Sequence, residues 1–208
     1  MPSAQLKKIR EEIAALRKED AGSRNRLNGL RHLRTVADLP WSHRREEHSL
    51  IKAKEILEAS HHGMEEAKHE IIKIVAERSL DKNAKGTVLC LDGPPGVGKT
   101  SLARAVAEAM NRPFISLKLG GVSDEGFVRG FPKTYTGAAP GRLIAEMQKI
   151  DSVNPVILLD EIDKIGQASS RGDVSAAVLE VLDPGQNHEF HDHYLDIPYE
   201  LAKCLFIA

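Results

Sequence analysis

The stretch Gly93-Pro94-Pro95-Gly96-Val97-Gly98-Lys99-Thr100 has the pattern of a phosphate-binding loop, G-x-x-x-x-G-K-[ST]. This pattern is specific when a buried strand precedes it and a helix follows it. The apolar run 87–91 has the composition of a strand that is buried on both faces. Behind the loop, apolar residues recur at helical spacing: Leu102, Ala103, Val106, Ala107 and Met110. These two flanks argue against the alternative, a glycine-rich turn that matches by chance.

The residue types in this loop suit a polyphosphate ligand. Glycines allow backbone N–H groups to converge on phosphate oxygens at the positive end of a helix. In this pattern, Lys99 is the point charge for the β- and γ-phosphates, and the Thr100 hydroxyl is a ligand of Mg²⁺. The sequence therefore predicts that residues 93–100 bind ATP together with Mg²⁺.

A second apolar run, 156–159, ends in the carboxylates of Asp160 and Glu161. Ligands of open parallel sheets bind at the carboxyl ends of the strands, so these side chains are expected beside the phosphate loop. We expect Asp160 to hold Mg²⁺ with Thr100, and Glu161 to be the general base that activates the attacking water. The alternative for Glu161 is a strand-end carboxylate that pairs with a nearby cation such as Lys164.

The composition is that of an ordinary globular protein of 208 residues, with 41% hydrophobic and 28% charged residues. A net charge of −1 gives no general attraction to nucleic acid or to an anionic membrane. No apolar run reaches membrane-spanning length, and the charged amino end lacks a secretory signal. Cys90 and Cys204 lie in apolar runs, which predicts buried free thiols in a reducing compartment. A disulfide stays open as the alternative, because the two runs could be neighbours.

The first part of the chain, 1–80, is predicted to be helical. A short apolar seam in its first helix is formed by Leu6, Ile9, Ile13 and Leu16. Breaks are expected at 21–23 and 39–42, a helix at 46–59, and a further helix after the turn 61–63.

The amino-terminal arm is basic, with nine Lys and Arg residues against four Asp and Glu from Met1 to Arg34. Such an arm could contact DNA or an acidic partner, or it could be the solvated face of a helix, which is the commoner case. Nothing else in the sequence supports DNA binding.

The second part, 87–208, alternates strands and helices, which predicts an α/β fold with a parallel sheet flanked by helices. The expected strands are 87–91, 113–117, 156–159 and 203–208, and the expected helices are 99–110, 141–150 and 174–182. A polar linker is predicted at 81–86. Because the chain stops inside an apolar strand, we interpret it as truncated and expect the sheet to be incomplete at the carboxyl end.

From about Leu39 to Ala208 the sequence resembles the ATPase region of the Lon family, which are ATP-dependent proteases of the AAA+ class. Besides the phosphate loop, the matching segments are Leu39-Pro40-Trp41, Leu119-Gly120-Gly121-Val122-Ser123-Asp124-Glu125, Thr134-Tyr135-Thr136-Gly137-Ala138-Ala139-Pro140-Gly141-Arg142, Asp160-Glu161-Ile162-Asp163-Lys164, Leu179-Glu180-Val181-Leu182-Asp183-Pro184 and Asp192-His193-Tyr194-Leu195. Their order along the chain makes the resemblance specific to Lon rather than to AAA+ proteins in general.

The resemblance implies an AAA+ P-loop core preceded by a helical segment, and a homo-oligomer in the form of a hexameric ring. Such a ring hydrolyses ATP to unfold misfolded proteins and to thread them into a serine peptidase. Tyr135 corresponds to the aromatic residue of the pore loop that grips the substrate. Its amphipathic side chain can contact a polypeptide of any amino-acid sequence. Residues 170–173 correspond to a second pore loop, and 61–64 to a turn beside the adenine.

Two features limit what the resemblance implies. The family usually has Gly-His-Arg-Arg before the pore-loop Thr-Tyr pair, whereas this chain has Gly130-Phe131-Pro132-Lys133. The sensor residue, the arginine that reaches the neighbouring subunit, the helical lid and the Ser–Lys peptidase would all follow Ala208. The alternative function is therefore a nucleotide-binding remnant without ATPase or peptidase activity. The expected location is the cytoplasm, with the mitochondrial matrix and the peroxisome as alternatives.

Overall fold

The structure is a computed structural model that describes residues 1–80, 88–94, 96–166 and 172–208. Four sequence predictions fall wholly or partly outside the described residues. They are the linker 81–86, Thr87 of the first strand, Pro95 of the phosphate loop, and the start of the second pore loop, 170–171.

Four helices form the amino-terminal part: α1 (Ser3–Leu16), α2 (Arg24–Asp38), α3 (Leu50–Ser60) and α4 (Glu65–Leu80). The predicted breaks at 21–23 and 39–42 both lie between helices and are confirmed. Ser23 caps α2, because its side chain accepts a hydrogen bond from the N–H of Arg26. The helix expected at 46–59 begins four residues later than predicted.

The segment before α3 is held in an extended form by polar contacts with the rest of the chain. The N–H of Arg45 donates to Asn154 Oδ1 at 3.1 Å. The Glu47 carboxylate pairs with the guanidinium of Arg112, whose side chain is fully buried. Ser49 then caps α3 by accepting from the first helical turn. Because these partners are distant in sequence, the apolar periodicity could not show the true start of the helix.

The second part contains short strands and helices in alternation. They are β1 (Val88–Leu89), α5 (Lys99–Ala109), β2 (Phe114–Lys118), α6 (Gly126–Arg129), α7 (Arg142–Met147), β3 (Val156–Asp160), α8 (Val174–Leu182), β4 (Phe190–His191), β5 (Pro198–Tyr199) and β6 (Leu205–Ile207). The helix predicted at 141–150 is α7, and it ends three residues early.

The main sheet has the strand order β1-β6-β3-β2, and all its pairs are parallel. The α/β fold class is thus confirmed, with β6 between β1 and β3. Two hydrophobic clusters cover the two faces of this sheet. One includes Leu57 of α3, Ile71 of α4 and Leu102 of α5. The other includes Val36 of α2 and Ile144 of α7, so the amino-terminal helices complete the core on both faces.

Two predictions about the first strand are wrong. In the described sheet β1 lies at the edge, with β6 as its partner, and Val88 is 36% exposed rather than buried. Cys90 is exposed, whereas Cys204 is buried as expected, and both are free thiols. Burial raises the pKa of the Cys204 thiol to about 12. The run 87–91 has the composition of a central strand, but its place in the sheet depends on pairing with distant segments.

Candidate functional site

The phosphate loop connects β1 to α5 and leaves the first turn of that helix without a side-chain cap. Gly98 is the N-cap residue, with φ = 93°, and Gly96 has φ = 84°. Both angles lie in the left-handed region that glycine adopts without steric cost. Because the N-cap residue Gly98 has no side chain, it cannot cap the first N–H groups of α5, and these groups can donate to a ligand in the loop. This arrangement fits an anionic ligand.

Lys99 and Thr100 begin α5 and border the same loop. Lys99 Nζ donates to the carbonyl oxygen of Gly93 at 2.8 Å, so the ammonium group lies across the loop. The Thr100 side chain is exposed. The left-handed glycines, the uncapped helix end and the ammonium group together form a cradle that fits the phosphates of a nucleotide.

Asp160 ends β3, an internal strand of the sheet whose apolar run was predicted to be buried, and Glu161 follows it directly. The buried run is confirmed, because its residues from Val156 to Leu159 are at most 3% exposed. Asp160 is paired in register with Lys118, and its carbonyl oxygen accepts from the N–H of Leu119 at 2.9 Å. Both carboxylates therefore lie at the carboxyl edge of the sheet, the edge where ligands of this fold class bind.

Glu161 is paired with Lys164 in this structure. Its Oε1 lies 2.7 Å from Lys164 Nζ, and its side chain is 45% exposed. The hydrogen bond from Lys164 lowers the pKa of the Glu161 carboxyl, and the same contact raises the pKa of Lys164. The ion pair that the sequence left as an alternative is therefore present. An exposed pair of this kind contributes little stability because solvent screens it, so the carboxylate can exchange it for another partner.

Gly120 leaves room for the Glu161 side chain. A Cβ atom at Gly120 would lie 2.3 Å from Glu161 Oε2 and 3.2 Å from its Cβ. Gly120 lies in one of the segments that resemble the Lon family, but its sequence context alone indicates no role for it. The contact joins the loop after β2 to the residue after β3. These segments are distant in sequence, so the contact is visible only in the three-dimensional structure.

The turn between α3 and α4 contacts the first turn of α5. His61 Nε2 lies 3.0 Å from Ser101 Oγ, and that hydroxyl donates to the carbonyl oxygen of Gly98 at 2.8 Å. Residues 61–64 thus begin beside the first turn of α5. Ser101 was not among the residues expected at the site, and its only sequence signal is its place directly after Thr100.

Tyr135 lies in a loop whose two ends are joined. The N–H of Phe131 donates to the carbonyl oxygen of Ala139 at 2.9 Å, which closes the segment 131–139 into what we call the Tyr135 loop. The Tyr135 side chain is 65% exposed. The loop therefore presents an aromatic side chain to solvent from a closed base.

Asp192 fixes the chain where it leaves the Tyr135 loop. This residue is 1% exposed, and its Oδ2 accepts from the N–H of Gly141 at 2.7 Å. Its Oδ1 accepts from the N–H groups of Tyr194 and Leu195 at 2.9 and 2.8 Å. Burial raises the pKa of Asp192 to about 6, although the three donors favour its ionised form. Residues 192–195 belong to a segment that resembles the Lon family, but the contact with Gly141, 51 positions away, is not evident from the sequence.

Lys133 connects the Tyr135 loop to the amino-terminal helices. Its Nζ lies 3.4 Å from Glu12 Oε2 and 3.7 Å from Asp196 Oδ2. Glu12 Oε1 lies 2.9 Å from Nδ1 of the buried His32, whose Nε2 is 2.9 Å from the carbonyl oxygen of Leu195. The residues before the loop are unusual for the family, but their sequence does not indicate a partner such as Glu12, which lies 121 positions away.

The described residues show neither a protein-only metal cluster nor a membrane span. Within them, no group of three or more His, Cys, Asp or Glu side chains could hold a metal ion. Mg²⁺ is usually bound through one or two carboxylates together with phosphates and water, so one carboxylate and one hydroxyl are a fitting set. None of the described helices is long and apolar enough to cross a membrane.

Comparison with known proteins identifies the family. The model of the AAA family (ATPase family associated with various cellular activities) matches residues 89–208. The Lon protease of Anaeromyxobacter dehalogenans is 52% identical over 178 residues, which are 85% of this chain and 21% of that protein. The peroxisomal Lon protease homolog 2 of Arabidopsis thaliana is 48% identical over 210 residues, which are 100% of this chain and 24% of that protein.

A third relative extends the similarity to another bacterium. The Lon protease of Bacillus thuringiensis is 46% identical over 209 residues, which are 100% of this chain and 26% of that protein. The chain thus spans about a quarter of the length of the curated relatives it matches. With its phosphate loop and its parallel sheet, the chain belongs to the AAA family of ATPases, and over its whole length it matches one stretch of the Lon proteases.

Proposed function

We propose that this chain is the ATP-binding and ATP-hydrolysing module of a Lon-type ATP-dependent protease. The observation that supports it most is that the phosphate loop, with the N-terminus of α5 free of a side-chain cap, follows β1 of the sheet whose strand β3 ends at Asp160. In this proposal residues 1–80 are a helical segment that supports the ATPase module, and 87–208 are the module itself.

Each side chain of the site has a separate task in this proposal. The backbone of 93–98 and the Lys99 ammonium group bind the phosphates, and the Thr100 hydroxyl and Asp160 hold Mg²⁺. The bound ion neutralises charge on the phosphates during hydrolysis. Glu161 leaves Lys164 and orients the attacking water, whose proton it accepts.

The mechanical part of the proposal concerns the Tyr135 loop. As the family resemblance implies, copies of the chain would assemble into a hexameric ring and thread unfolded proteins past Tyr135. Its exposure on a closed loop supports this role.

Some relatives are peroxisomal by name, which supports the peroxisome as a compartment beside the cytoplasm. The alternative, a nucleotide-binding remnant without hydrolysis, is favoured by the pairing of Glu161 with Lys164.

Replacing Lys99 by Met tests nucleotide binding by the 208-residue chain. We expect the affinity for Mg-ATP to fall about 100-fold, because loss of one partner from a close charge pair costs about 2–5 kcal/mol. Isothermal titration calorimetry measures this change. Lys149→Met is the matched control, because Lys149 is exposed and pairs with Glu146 on the surface. Equal affinity in both variants would contradict a phosphate site at this loop.

Replacing Tyr135 by Ala tests the mechanical part. The assay uses a chimera in which this chain replaces the matching stretch of the Bacillus thuringiensis Lon protease. We expect ATP-dependent degradation of an unfolded protein to fall about tenfold or more, because the aromatic grip is lost. ATP affinity and thermal stability should stay unchanged, because the side chain is exposed. Tyr135→Phe should retain activity, and normal degradation by Tyr135→Ala would rule out this role.

A further inference from the structure

A cleft of about 450 Å³ lies between the hairpin of α1 and α2 and the Tyr135 loop. We call it the hairpin cleft. One wall is formed by the facing parts of the two helices, from Glu12 to Leu16 and from Arg24 to Arg31, and the other by residues 133–138. Its volume falls within the range of ligand-binding pockets, about 300–1,000 Å³. The site is separate from the phosphate loop, which does not line it.

The cleft has an excess of positive charge. Arg24 and Arg31 line it and are exposed, and no carboxylate in the described part of the chain forms a salt bridge with either. Lys133 is a third cation on the opposite wall. Glu12 is the carboxylate among the lining residues, and it is already bound by His32 and Lys133. Two guanidinium groups thus remain to bind an anionic ligand.

The other lining residues favour a peptide over a nucleic acid. Arginine binds carboxylates through two parallel hydrogen bonds. The side-chain amides of Asn25 and Asn28 can donate to and accept from an extended peptide backbone. Nucleic-acid sites usually neutralise several phosphates, which is more than two guanidinium groups can do, and the net charge of −1 gives no general attraction to nucleic acid.

We propose that the hairpin cleft binds acidic segments of an extended polypeptide and holds them beside Tyr135. The inference rests on the proposed function, because the Tyr135 loop forms one wall of the cleft. A substrate segment retained there by its carboxylates is adjacent to the aromatic side chain that pulls it. The basic amino-terminal arm thereby acquires a specific role, with Arg24 and Arg31 as its binding residues.

The test measures fluorescence anisotropy of a fluorescein-labelled 12-residue peptide with six glutamates, titrated with the 208-residue chain. The variant Arg24→Glu/Arg31→Glu reverses the two cleft charges. Its matched control, Arg10→Glu/Arg34→Glu, makes the same charge change on exposed positions of the same helices outside the cleft. We expect the cleft variant to bind about tenfold or more weakly, since it loses two charge-assisted contacts. The control should bind within about twofold of the unmodified chain.

Three outcomes would overturn the proposal: no binding of the acidic peptide, equal loss in both double variants, or equal binding of a peptide with lysine in place of glutamate. Tighter, cleft-dependent binding of a single-stranded oligonucleotide would assign the cleft to nucleic acid instead. Arg24→Gln/Arg31→Gln should show the same loss with a smaller charge change, and circular dichroism checks its fold. Because peptide binding needs no ATP, a failed Lys99→Met test would refute the nucleotide site without affecting this result.

Discussion

Replacing Glu161 by Gln should leave Mg-ATP affinity within about twofold and lower the rate of ATP hydrolysis about 10²–10⁴-fold, the usual contribution of a general base. The amide is nearly the same size as the carboxylate but cannot accept a proton from water. The lost ion pair with Lys164 is exposed, so the fold should remain intact. Affinity is measured by calorimetry, and phosphate release is measured in both the chain and the Lon chimera.

Glu200→Gln is the matched control, because Glu200 is also an exposed carboxylate paired with a lysine three residues away. Its hydrolysis rate should equal that of the unmodified protein. Normal turnover by Glu161→Gln would place the general base elsewhere. If neither the chain nor the chimera hydrolyses ATP before any substitution, the non-catalytic alternative is correct.

Replacing Gly141 by Ala should lower the free energy of unfolding by about 3 kcal/mol, at the upper end of the usual cost of overpacking. A Cβ atom there would lie 2.0 Å from the carbonyl oxygen of Val128 and 2.6 Å from its carbon. Both are backbone atoms, so the chain itself must move. It would also lie 2.9 Å from Asp192 Oδ2, the atom that accepts from the Gly141 N–H. Urea unfolding followed by circular dichroism measures the change.

Gly22→Ala is the control for the Gly141 substitution. A Cβ at Gly22 meets no atom within 4 Å, and its φ does not lie in the left-handed region. Its effect on stability should stay within about 0.5 kcal/mol. An equally small effect at Gly141 would show that the backbone at Gly141 and the backbone at Val128 can separate without loss of stability. This result would contradict the close packing at the base of the Tyr135 loop.

The sequence by itself determined the features that depend on local pattern. The helix after the phosphate loop and the buried run before Asp160 were each placed within one residue. Glycine conformations, helical periodicity and continuous apolar runs are properties of adjacent residues, so they are readable without the fold. The alternation of strands and helices likewise predicted the parallel sheet.

Tertiary structure decided the features that join distant segments. Cys90 is exposed although it lies in an apolar run, and the contact of Glu47 with the buried Arg112 accompanies the late start of α3. The hairpin cleft exists because α1 and α2 pack beside a loop more than 100 residues away. Contacts between distant segments depend on which surfaces meet when the chain folds. A hydrophobic pattern shows that a surface is buried, but it does not show which other surface packs against it.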